Sequence, residues 1–168
     1  MDAYKMYRAE RWMYIHHIPF LPKVIKGLIY LIHNSSIPYE AEIGKYCKFL
    51  YGGIGCVISK KTKMGDYVII GTNVLTGGRS NKDGHPVIGN NVYIATGAKI
   101  LGDIKIADNV IIGANAVVIH DVPANCSVGG IPARILNSNI DVTEFCSLKK
   151  YGQAVDLTVR VENCGEGE

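Results

Sequence analysis

The sequence contains no CxxC pair, and its five cysteines, Cys47, Cys56, Cys126, Cys146 and Cys164, follow no regular spacing. An odd, scattered set excludes a zinc ribbon and a regular disulfide framework; it reads as reduced thiols in a cytoplasm, with no metal expected. No apolar run reaches the 18 or so residues that a spanning helix needs, so none is expected. The first ten residues hold Asp2 and Glu10 and no long apolar stretch ahead of a small-residue cleavage site, which argues against a secretory signal. Excess charge is also scarce. Lysine and arginine number 18 against 15 acids, a net +3 that gives no case for a nucleic-acid surface. The 19 glycines are nowhere gathered into a flexible linker, and 168 residues make one domain with a real core.

What the sequence does have is a period of six. Aliphatic residues return at Ile88, Ile94, Ile100, Ile106, Ile112 and Val118, and a second apolar series runs four residues later at Val92, Ala98, Ile104, Val110, Ala116 and Val122. Six matches neither the 3.6 of a helix nor the alternation of a strand. It matches a parallel β-helix in which three hexads make one triangular coil and coils stack at strand spacing. The large aliphatic points inward, the residue four on fills a corner, and Gly89 and Gly113 follow inward residues where turns are needed. The same phase reads from Ile37 through Ile43 and Phe49, slips at Gly52, Gly53 and Gly55, and resumes at Ile58, Met64 and Ile70. About five coils are expected.

The flanks differ in character. Residues 2–16 place Tyr4, Tyr7, Trp12, Met13 and Ile15 at spacings that suit a short helix, which Pro19 and Pro22 end. Residues 23–33 read as a second helix packed on the base of the β-helix or on a neighbouring subunit; the other reading is a basic amphipathic helix resting on a membrane face. Between Thr76 and Val87 no hexad is legible, and TGGRSNKDGHP reads as a loop thrown out from one corner of the prism. After Pro123, NCSVGGIPARIL closes the last coil. In the tail, DLTVRVE alternates as a strand would and CGEGE reads as disordered. The chain divides into a helical segment at 1–35, a β-helix at 36–135 with its extruded loop at 76–87, and a tail at 136–168.

The hexads, the loop ending GHPVIG, the run NNVYIATGAKILGDIKI, the segment VIIGANAVV and the closing VGGIPARI stand in the order that the serine acetyltransferase branch of the hexapeptide acyltransferases shows. Over residues 36–135 the chain resembles that branch. It is also similar to small serine-acetyltransferase-like proteins encoded with surface-polysaccharide genes, whose short N-terminus reads like RWMYIHHIPFLPK. The resemblance implies a mainly β fold, a left-handed parallel β-helix of hexapeptide repeats with a short helical N-terminus. It implies a homotrimer with acetyl-CoA bound in the groove between neighbouring prisms. It further implies a cytoplasmic O-acetyltransferase acting on a hydroxyl of a small acceptor, serine or a sugar or nucleotide sugar.

The chemistry implied needs a base for the attacking hydroxyl, and an imidazole, whose ordinary pKa is about 6.5, suits that at neutral pH. The family's main base is a His on the first coils, oriented by an Asp. Aligned on AEIG, those positions are Tyr51 and Ser36 here, and a phenol with an ordinary pKa of about 10 is a poor base. The family's second active-site His precedes a Pro on the extruded loop and corresponds to His85. The Arg that holds a substrate carboxylate is replaced by Gly84. His120 falls on an outer face, two residues after the inward Val118. For acetyl-CoA the family pattern points to Gly77, Gly78, Thr96 and Ala114, with Gly97, Ala98 and Gly113 flanking, and Lys99 and Arg134 are the cations for its phosphates. His85 is thus the expected catalyst, with Tyr51 beside it. The alternative is an inactive homologue serving as a trimeric structural or regulatory partner.

Overall fold

In a computed structural model, residues 2–80 and 84–142 are described. Asp2 caps the first helix, α1 (Ala3–Ile15), its Oδ1 accepting from Tyr4 N at 3.0 Å and so satisfying one of the free N–H groups of the first turn. Pro19 bars continuation. The second helix, α2 (Leu21–His33), takes Pro22 in its first turn, where a missing N–H costs nothing, and ends at Asn34 in the left-handed region at φ 49°.

From Glu42 the chain winds into a three-sided prism of short parallel strands. One face stacks Glu42–Ile43, Lys63–Met64, Val87–Ile88 and Lys105–Ile106. The second stacks Lys48–Phe49, Ile69–Ile70, Tyr93–Ile94, Ile111–Ile112 and Cys126–Gly130. The third stacks Val57–Ile58, Leu75–Gly77, Lys99–Leu101 and Val117–Val118. Four complete coils and the start of a fifth result. The register pairs each inward residue with its repeat equivalent, as in Ile70 with Ile94 and Ile94 with Ile112. Ile88, Ile94, Ile100, Ile106, Ile112 and Val118 are all at most 2% exposed, so each contributes about 1.5–3 kcal/mol of burial. The second series, Val92 to Val122, is buried with them.

The spacing of six is broken twice, and each break builds a corner feature. Phe49 to Ile58 spans nine positions, the extra three forming the turn Leu50–Gly53 between the second and third faces. Thr76 to Ile88 spans twelve, the extra six leaving between the third and first faces. Thr76 itself keeps the phase: it pairs with Ile58 and Ile100, is buried, and its hydroxyl meets that of Thr62 at 2.8 Å. Leu75–Gly77 is therefore a strand, and the chain leaves the prism only after Gly77. A polar residue in an inward slot hides this hexad from a hydrophobicity reading.

The helices close one end of the prism. Tyr4 stacks on Tyr7 and on Phe49; Tyr4 Oη donates to Gly44 O at 2.6 Å, and Tyr7 Oη donates to Ala41 O at 2.6 Å while accepting from Ile43 N at 3.1 Å. Burial pushes the Tyr7 phenol up to about 12, so it remains a donor at any ordinary pH. At the other end Ala133–Ser138 returns antiparallel to Cys126–Gly130, and Val142 reaches Ile69 and Ile111 on the outside of the second face. The DLTVRVE strand and the CGEGE segment expected from the sequence, with Cys146 and Cys164, lie outside the described residues. Cys47, Cys56 and Cys126 are free, buried thiols; burial pushes Cys47 up to about 12 and raises the other two.

Candidate active site

The residues singled out in the sequence fall on two corners of the prism. Two positions beyond the paired residues Ile70, Ile94 and Ile112 stand Thr72, Thr96 and Ala114, one per coil, along the corner between the second and third faces, and in the first coil Ile54 takes that place, its O accepting from Asn73 N at 2.9 Å. Thr72 and Thr96 are joined by their hydroxyls at 3.4 Å and by Gly97 N donating to Thr72 O at 2.8 Å; Asn115 N donates to Thr96 O at 2.9 Å. Gly97, at φ 78°, has no room for a Cβ, which would collide with Asn115 Oδ1. Thr96 and Ala114 are exposed, Gly113 is half-buried, and Ala98 faces the core. Lys99 Nζ donates to Asn73 O at 2.9 Å and to Gly97 O at 2.8 Å, so its charge sits on this corner. The exposed Arg134 is on the terminal hairpin opposite Gly129, Nη1 donating to Ala133 O at 3.1 Å.

Tyr51 stands at the same corner in the first coil, on the Leu50–Gly53 turn that leads into this column. Its backbone is left-handed (φ 53°, ψ 33°) and its side chain is 79% exposed. It lines a cavity of about 620 Å³ between the start of α1 and the first coil, with Asp2, Lys5, Lys48 and Gly52 also on the wall. Ser36 does not join it. Ser36 N donates to Cys56 O and Ser36 O accepts from Ile58 N, both at 2.8 Å, which fixes it beside the third face. There it lines a separate cavity of about 300 Å³ with Lys23, Lys26 and Tyr30. Ser35 carries the structural duty of this segment: its hydroxyl donates to Gly53 O and accepts from Cys56 N at 3.0 Å, pinning the turn that presents Tyr51.

His85 stands at the other corner, where the loop returns between the third and first faces. Gly78 lies beneath the ring: a Cβ there would be 3.4 Å from Cε1 and Nε2. Gly77 precedes it in register with Leu101. On the far side Gly84 has φ 143°, and a Cβ would press into Asp103. Position 84 is thus closed to a side chain by backbone geometry and by Asp103. Arg79 packs over Gly102, drawing the loop onto the same corner. The imidazole is half-buried, and its Nδ1 is buried without a hydrogen-bond partner among the described residues. A buried unpaired ring nitrogen costs about 1–3 kcal/mol unless something meets it. His120 is exposed, as expected.

One protomer therefore holds two half-sites at opposite edges of its third face. Gly78 follows Asn73 by five positions, and at strand rise that is about 16 Å. Thr72 and Asp103 belong to these corners and escaped the sequence reading. Thr72 was findable, since it follows the inward Ile70 by two as Thr96 follows Ile94. Asp103 was not, because its nearness to Gly84 comes only from folding the loop back. Among the described residues no group of three His, Cys, Asp or Glu side chains is placed to hold a metal ion.

The architecture and the matched segments have clear counterparts. The family model for bacterial transferase hexapeptide (six repeats) matches residues 85–120. The serine acetyltransferase of Synechococcus elongatus is 39% identical over 137 residues, which are 80% of this chain and 56% of that protein. A solved structure of a serine acetyltransferase in complex with CoA aligns with a TM-score of 0.72 at 31% identity, covering 80% of this chain and 55% of the other. The Neisseria gonorrhoeae serine acetyltransferase in complex with serine aligns with a TM-score of 0.72 at 30% identity, covering 79% and 54%. The chain spans a little over half the length of each of these relatives.

Proposed function

Because the chain belongs to the serine acetyltransferase-like hexapeptide-repeat proteins, we propose that it transfers acetyl from acetyl-CoA to a hydroxyl of a small acceptor. Serine is the acceptor that its relatives' names suggest; the glycine at position 84 leaves a sugar hydroxyl open as well. In this reading His85 takes the hydroxyl proton as the acceptor oxygen attacks the thioester carbonyl, a backbone amide steadies the oxyanion, and the CoA thiolate leaves. The observation that carries the proposal is the His85 imidazole over Gly78, half-buried on a loop held at a corner, with one ring nitrogen unmatched. A loop imidazole whose Nδ1 has no partner among the described residues is the side chain best suited to the proton transfer this reading requires.

The separation of the half-sites supports a homotrimer. A loop corner with His85, Gly77 and Gly78 and a small-residue corner with Thr72, Thr96, Gly97 and Ala114 cannot close on one thioester within a single prism. They can when the loop corner of one copy lies against the small-residue corner of the next, which is where the pantetheine arm would run, with Lys99 at its edge. Tyr51 stands at the same corner and would approach the acceptor from the first coil.

The test is a pair of substitutions read with thiol release from acetyl-CoA, screened over serine, homoserine and nucleotide sugars. His85→Ala should lower kcat by about 10² to 10⁴ with KM for acetyl-CoA little changed, and Tyr51→Phe should lower it far less. A dead Tyr51→Phe beside an active His85→Ala would move the base to Tyr51. The separation of Ser36 from Tyr51 favours one other outcome. If acetyl-CoA raises the melting temperature, by about 2.7 kcal/mol of stability at a hundredfold over Kd, and no acceptor is acetylated, the chain is an inactive trimeric partner.

A further inference from the structure

Among the described residues the outward face of α2 has nothing to pack on. Pro22, Ile29 and His33 turn toward the prism, while Phe20 and Leu31 are each 78% exposed and Leu21, Val24, Leu28 and Ile32 lie beside them in solvent. Six large apolar side chains on one side of a short helix make a patch of the kind that marks a docking surface. Among the described residues no segment covers it. Among those residues, too, no helix is long and apolar enough to cross a membrane, so the patch is a surface feature and not a span.

Two occupants fit the shape, and charge separates them. Leu21, Val24, Leu28 and Leu31 are spaced by three, four and three, which would suit a second helix as well as a lipid surface. Yet residues 2–33 hold five of the chain's 18 lysines and arginines and only two of its 15 acids, so this segment carries the whole formal net charge of +3. One of the two acids, Glu10, is fully buried, and burial pushes its carboxyl up to about 8, which leaves it neutral at pH 7. Lys26 is turned inward over the Tyr39 ring and Arg11 donates to Tyr39 O, but Lys5, Arg8 and Lys23 stand exposed. A second copy would set like charge against like charge. An anionic lipid surface takes the apolar face together with Lys23, the exposed cation on α2 itself.

We propose that α2 is an interfacial helix that lays its Phe20–Ile32 face on an anionic membrane surface, so that the trimer rests on a bilayer through its helical ends. The reading does not depend on acetyl transfer, and its test does not use activity. The full chain is floated with vesicles of phosphatidylcholine alone and of phosphatidylcholine mixed with phosphatidylglycerol, at low and high salt. Beside it run a Leu28→Glu/Leu31→Glu variant and a Lys23→Glu variant, with melting temperature and light-scattering mass recorded for each. The wild type should bind the anionic vesicles and bind the neutral ones, or the anionic ones in high salt, about tenfold more weakly. The double variant should lose about a hundredfold of its affinity, since each leucine is worth about tenfold, while its melting temperature and mass stay unchanged. Lys23→Glu should weaken anionic binding and leave neutral binding alone. No flotation of the wild type with anionic vesicles, equal binding to neutral ones, or a double variant that binds as before would each overturn the proposal. So would a double variant of lower mass, which would make the face a contact between copies.

Discussion

The stacked coils and the helical cap solve the burial problem in opposite ways. In the coils each inward residue lies on its repeat equivalent in the next coil, each inner strand hydrogen-bonds to the strands above and below, and the interior is almost wholly apolar. Even the corners are self-supporting: Asn91, Asn109 and Asn125 bond in a ladder, at 3.2 and 3.0 Å. The cap is unfinished on both sides. Inside it holds Glu10 with neither carboxyl oxygen bonded among the described residues; outside it holds the bare face of α2. A repeat can satisfy its groups with copies of itself. A single helical pair cannot, and its open groups stay open among the described residues.

That contrast can be broken by substitution. The largest effect is expected in the coils, where Ile106→Asp places a charge with neither water nor partner and should cost more than about 5 kcal/mol, enough to abolish folding. A soluble variant with an unchanged thermal midpoint would show that the interior is not as closed as its burial implies.

The next effect belongs to the cap and depends on pH. Burial raises the Glu10 carboxyl from its ordinary 4.5 to about 8, Lys26 opposing and Glu40 adding to the shift. A raised folded-state value means that stability is fully present below about pH 4.5 and is lost as pH rises toward 8, because the unfolded chain ionises first. Glu10→Gln should remove that slope and be more stable than the wild type at pH 8 by on the order of 4 kcal/mol, with the two alike near pH 4. Parallel denaturation curves across that range would mean that Glu10 is solvated.

Smaller still is the joint between the two regions. Tyr7→Phe leaves Ala41 O and Ile43 N without their partner and should cost about 1–3 kcal/mol in urea denaturation; a cost near zero would mean the cap is held by apolar contact alone. The smallest change is at a corner. Asn90 is exposed, yet its Oδ1 accepts from Asp66 N at 2.8 Å and its Nδ2 faces Asp108 Oδ1 at 3.3 Å. Asn90→Asp should cost less than about 1 kcal/mol, and the cost should shrink in salt as the carboxylates are screened.

The coils were legible because a period of six has one structural meaning, and positions such as Ile94 and Val110 could be assigned inward from spacing alone. The hexad at Thr76 was not, since its inward residue is polar and is satisfied by Thr62 from 14 positions away. Of the candidate site, the corner column was partly legible: Thr96 and Ala114 came with the family pattern, and Thr72 follows by the same offset. That Ile54 and not Tyr51 stands in register with Thr72, and that Ser36 lines a different cavity from Tyr51, could not be read, because the three-residue expansion after Phe49 shifts the first coil.

By itself the sequence determined the prism: which residues face inward, that the chain coils in hexads, and where the two expansions fall, all of which follow from local spacing and side-chain volume. Only the tertiary structure decided what those expansions do. Folding puts the Tyr51 turn and the His85 loop at opposite edges of one face. It buries Nδ1 of His85 and the carboxyl of Glu10, and it turns the apolar side of α2 to solvent. The physical reason is that burial and distance are sums over segments remote in sequence. No window of the chain contains them until the coils have stacked.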